Sequence, residues 1–159
     1  MITQEFLHDC ERYMQNNGLT YGAVFIPVTV PKHEMIDPSE TKAYLQQNRG
    51  QLFVAQLLLL IDKSGKKDSD IYKKAGIDRR LFSKIRSNLA YTPAKKTIIS
   101  LCMALELSRE EADSLLSSAG YSLSRADDFD LAIAFCIEKQ VYDLCSINEV
   151  LDHFGFEIF

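Results

Sequence analysis

Arg79, Arg80, Ser83 and Lys84 recur at a spacing that places them on one side of a helix. Their chemistry is that of reading a polyanion. An arginine fork can donate two hydrogen bonds to guanine O6 and N7, and either Arg79 or Arg80, near the start of such a helix, is the best candidate for that role. Lys66, Lys67, Lys73, Lys74, Arg86, Lys95 and Lys96 surround them and are expected to neutralise phosphates. Contacts of that kind add affinity without sequence information and make binding salt-dependent. Between Lys63 and Lys96 there are 11 Lys/Arg against 3 Asp, whereas the rest of the chain holds 7 Lys/Arg and 19 Asp/Glu. The formal net charge of −4 therefore hides a strongly basic segment. Such a segment inside an acidic chain is the footprint of a polyanion-binding face. The plainer explanation is a set of solvated faces on charged helices.

Other reactive residues form no comparable pattern. His8, Asp9 and Cys10 are consecutive, so on a helix they point in different directions. His33 and His153 are isolated, and Cys136 and Cys145 are too far apart for paired zinc ligands. Ser64-Gly65-Lys66-Lys67 is a helix-ending turn rather than a phosphate loop, and Glu110/Glu111 and Asp127/Asp128 suit helix starts. No catalytic residue, metal site or cofactor is expected, and the chain reads as a non-enzyme. The four cysteines are scattered among apolar residues and read as reduced, mostly buried thiols. The run QLFVAQLLLLI is too short to span a membrane, and no signal peptide is evident at the N-terminus. A cytoplasmic address is the expectation.

The elements that must position the cations lie in Lys67 to Asn88. Ile71 and Ala75 give a first short helix an apolar face, Ala75-Gly76-Ile77 turns the chain, and Asp78 caps a second helix. That second helix, 79–87, buries Phe82 and Ile85 and turns its cations outward. A helix, a glycine turn and a basic helix make a helix-turn-helix arrangement, whose second helix can enter a major groove. A nearly continuous apolar helix, 51–61, precedes it and ends at Ser64-Gly65. Thr92-Pro93 opens a helix to Leu105, and the Ser108 to Glu111 capping box opens another to Ser118. Upstream, Thr3 caps a helix to about Asn16, Tyr21 to Val30 favours an edge strand, and Asp37 to Glu40 starts a helix through Gln47. Downstream, a helix runs from Phe129 to about Gln140, and Ser146 to Glu149 caps a last one. An aromatic tail (Phe154, Phe156, Ile158, Phe159) should dock on the domain or on a partner. The expected fold is mainly α: an N-terminal extension (1–48), a five-helix core (49–120) and a C-terminal helical extension (121–159). Pro27 and Pro31 confine the 21–30 segment to an edge strand or make it an irregular arm, which either packs on the helical body or pairs with its copy in a homodimer.

Residues 51–119 resemble the lambda-repressor-like (Xre/Cro-type) helix-turn-helix family. The resemblance is carried by IYKKAGIDRRLFSKIRSN and TPAKKTIISLCMALELSREEADSLL, and covers under half the chain. It implies a dimeric, sequence-specific transcriptional regulator that binds double-stranded DNA through helix 79–87. Departures from the family pattern fall at Asp68, where a Gln usually contacts DNA, and at Tyr72, Leu81, Arg86 and Asn88. Arg86 replaces a common Glu. The competing expectation is a protein-interaction adaptor that keeps the fold without operator binding. Its docking surfaces would be the acidic extensions, the aromatic tail and an exposed Leu81.

Overall fold

The computed structural model describes residues 2–18 and 37–159. The expected strand 21–30, its dimer-forming role and His33 fall outside the described residues. Within them the protein is mainly helical: α1 (Gln4–Asn17), α2 (Pro38–Asn48), α3 (Phe53–Ser64), α4 (Asp68–Lys74), α5 (Arg79–Ser87), α6 (Lys95–Leu105), α7 (Arg109–Ser118), α8 (Asp128–Glu138) and α9 (Leu144–His153). No strand occurs among the described residues.

Local chemistry explains most boundaries. Thr3 accepts from the Phe6 N–H at the start of α1, and Ser108 and Glu111 form the reciprocal capping box of α7. After α4, Gly76 adopts φ +63°, the Gly76 N–H donates to the Lys73 carbonyl and the Ile77 N–H to the Tyr72 carbonyl. This left-handed glycine stop reverses the chain within three residues. The Asp78 carboxylate then accepts from the Arg80 N–H at 2.8 Å and starts α5.

Two starts differ from expectation. α6 begins at Lys95, because Ala94 stays extended and Pro93 is buried ahead of the helix instead of forming its first turn. α9 begins at Leu144, because the Asp143 carboxylate accepts from the Ser146 N–H at 2.9 Å. A carboxylate at that position is favoured by the helix dipole as well as by the hydrogen bond.

α6 is the central helix, with Ile98 to Leu105 all buried, and α3, α4 and α7 pack on it. One apolar cluster runs from Leu7 and Cys10 of α1 through α3–α7 to Ile147, Val150 and Leu151 of α9. The core thus crosses the boundaries expected at 48/49 and 120/121. α1 lies against α8, where the Phe6 and Tyr13 rings stand 5.0 and 5.4 Å from the Phe135 ring. Burial and the Tyr13 hydroxyl's bond to Glu138 raise the Tyr13 pKa to about 12. The tail docks on the protein's own body: Phe129 meets Phe156 and Phe159, and the Phe159 N–H donates to Asn148 Oδ1 at 2.9 Å. α9 also abuts the glycine turn, since Leu144 Cδ1 lies 3.5 Å from where a Gly76 Cβ would sit. α2 buries none of its residues.

A candidate nucleic-acid interface on α5

α5 is amphipathic in a simple way. Phe82 and Ile85 are buried, and Arg79, Arg80, Ser83, Lys84, Arg86 and Ser87 are exposed. At 100° per residue, Arg80, Ser83, Lys84 and Ser87 occupy the outermost strip, with Arg79 and Arg86 on its α4 side. Of the four expected base-reading residues, Arg80, Ser83 and Lys84 therefore share that open strip, and Arg79 flanks it. None of Arg79, Arg80 and Lys84 forms an ion pair among the described residues. Lys84 Nζ rests 4.2 Å from the centre of the Tyr91 ring, which steers it toward the loop after α5. Ser87 belongs to the same strip and was not singled out from sequence. Its spacing, four residues after Ser83 and seven after Arg80, is the signal that could have found it.

The expected phosphate-binding residues divide into groups. Lys67 and Lys73 are exposed and have no carboxylate partner among the described residues. Lys66 and Lys74 converge on Glu106, with Lys66 Nζ 3.2 Å from its carboxylate and also 3.1 Å from the Ala104 carbonyl. Hydrogen bonds from Lys74 and then Lys66 hold the Glu106 carboxyl below its usual 4.5. Because the folded pKa is lowered, this contribution to stability is present above the usual value and is lost as pH falls through the lowered one.

The other expected phosphate contacts are also engaged. Lys95 Nζ is 2.5 Å from the buried Asp130 carboxylate, which also accepts from the Ser124 N–H at 2.8 Å. Lys96 is 3.3 Å from Glu157 and donates to the Ile158 carbonyl at 2.9 Å. Arg86 is paired with Asp68 across the α4–α5 groove. The structure thus leaves the four residues expected to read bases exposed on α5 and ties Lys66, Lys74, Arg86, Lys95 and Lys96 to local partners.

Leu81 is half-buried and packs on the core, beside a groove of about 440 Å³ lined by Ile77, Leu144, Ile158 and Phe159. The exposed docking role expected for it under the adaptor reading does not fit that position. Tyr72 does not turn outward; it packs on the core against Phe82, ring centres 5.8 Å apart.

The remaining reactive groups sit elsewhere. Burial raises the thiols of Cys10, Cys102 and Cys136 to about 12, and His8 faces solvent beside Glu11. Among the described residues no three His, Cys, Asp or Glu side chains converge on a metal position, and no helix is long and apolar enough to cross a membrane. Comparison with protein-family models, curated proteins and solved structures gives no match to this chain.

Proposed function

We propose that the protein is a sequence-specific DNA-binding transcriptional regulator without catalytic activity, acting in the cytoplasm as a homodimer. In this reading α3–α7 form a lambda-repressor-like helix-turn-helix unit, and α5 enters the major groove of double-stranded DNA. The observation that carries it is the outer strip of α5. It combines Arg80, Lys84, Ser83 and Ser87, flanked by Arg79, on a helix whose other face is sunk in the core. Cations elsewhere in the basic segment are largely matched to carboxylates, so the open charge is concentrated where a duplex could meet it.

The test is binding to random duplex DNA at two salt concentrations, followed by selection of preferred sites. Four or five phosphate contacts per chain predict a log–log salt slope of about −4 for each chain bound, and so about −8 for the homodimer. A steep slope without site preference would reduce the function to phosphate binding. No retention at low salt would overturn the reading.

Glu106 supplies an independent check. It holds Lys74 and sits in the left-handed region at φ +56°. Glu106→Gly should release Lys74 while Lys66 stays tied to the Ala104 carbonyl. If Lys74 then reaches a phosphate, the slope steepens by about 0.9. Stability should change little, since relief of roughly 1–2 kcal/mol of backbone strain offsets the loss of exposed pairs worth about 0–1 kcal/mol. An unchanged slope would show that Lys74 lies off the DNA path.

A second reading, as a protein-interaction adaptor, is favoured by one observation. Four of the six exposed large apolar side chains among the described residues, Tyr44 and Leu45 on α2, Leu52 just before α3 and Leu59 on α3, fall within sixteen residues. Capture of a protein partner that survives charge reversal on α5 would support it.

A further inference from the structure

Asp68 and Arg86 are each about 43% exposed and face each other across the mouth of the groove between α4 and α5. The groove, of about 330 Å³, is also lined by Ser69, Tyr72, Arg79 and Ser83. Asp68 lies in the first turn of α4, where the helix dipole favours a carboxylate. Its bond to Arg86 is made through Nη1, which leaves the other guanidinium N–H groups without a partner among the described residues. An exposed arginine normally spreads over many rotamers, and ordering one costs entropy. A carboxylate held to one guanidinium nitrogen removes part of that cost and restricts where the remaining donors point. It also cancels a charge on the groove side of the ridge, which weakens indiscriminate attraction to phosphate.

We propose that Asp68 is a positioning residue that converts Arg86 from a phosphate contact into a specificity-determining one, with its free N–H edge presented to guanine. This rests on the DNA-binding reading above and adds to it a named discriminating pair. Asp68 trades affinity for selectivity. Its carboxylate sits where it would repel a phosphate, and that repulsion is tolerated because it orients the arginine.

The experiment compares wild type with Asp68→Asn and with the exchange Asp68→Arg/Arg86→Asp, on random duplex and on the site selected with wild type. Thermal unfolding is followed in parallel. Asp68→Asn should bind random duplex as well as or better than wild type. Its preference for the selected site should fall roughly 5- to 150-fold, the range for losing one aligned bidentate contact. The exchanged variant re-forms the pair with both charges set against the helix dipoles, so its melting temperature should fall by only a few degrees while the preference is still lost. If the exchange retains the preference, the pair is only a strut between helices and the proposal is overturned. Preference unchanged in Asp68→Asn also overturns it, leaving the DNA-binding reading intact. Failure of wild type to bind any duplex removes both together.

Discussion

Replacing Arg79 and Arg80 together by Glu is expected to abolish retention on duplex DNA while leaving the helices folded. Both side chains are exposed and outside the apolar cluster, so the substitutions cost little in stability. Each arginine that pairs with a base edge contributes about 1–3 kcal/mol of discrimination. Losing two such contacts amounts to about 2–6 kcal/mol, or roughly 30- to 10⁴-fold in affinity. The reversed charges add repulsion from the phosphates that lysine substitutions would not. Titration of labelled duplex at low salt, with circular dichroism to verify folding, measures the effect. Binding reduced less than threefold would place the nucleic-acid contact, if there is one, away from α5.

Phe135→Ala should produce the largest loss of stability. The ring is almost fully buried, at 2% exposure, and it is the surface on which Phe6 and Tyr13 of α1 rest. Truncating a buried Phe to Ala costs about 3–5 kcal/mol through lost transfer energy and the cavity left behind. Domains of ordinary stability have about 5–15 kcal/mol in total. The melting temperature should therefore fall by roughly 6–20 °C. α1 should also become the first segment cut in limited proteolysis, since its aromatic anchors lose their seat. A loss under 1 kcal/mol with α1 still protected would mean that the cluster refills the cavity or that α1 is held by other contacts.

Elements set by neighbouring residues could be read from the chain. The glycine turn between α4 and α5, the Thr3 cap, the Ser108–Glu111 box and the Gly65 stop need only partners within a few positions. The same locality explains the errors. Asp143 and Ser146 both look like caps of α9, and the structure uses the carboxylate and leaves Ser146 as the donor. Thr92-Pro93 has the composition of a helix start, but burial of Pro93 delays α6 to Lys95.

Contacts between distant residues left no local trace. Nothing around Tyr13 announces Glu138, 125 positions away, and nothing around Lys95 announces a buried Asp130. The same holds for the candidate site. The outward set on α5 followed from helical spacing. Which cations are neutralised depended on carboxylates brought in by α4, α6, α8 and the tail. Asp68 and Arg86, two separate oddities in the sequence, turned out to be one ion pair.

α5 is held by Phe82 and Ile85, with Leu81 partly covered, and its outer residues are not members of the apolar cluster, Lys84 alone resting on the Tyr91 ring at its edge. The outer strip can therefore drift through evolution, or be randomised in a library, without renegotiating the core. Retargeting would draw on new letters at 79, 80, 83, 84 and 87, with the Asp68–Arg86 pair at its edge, written onto a frame that carries its own foundations.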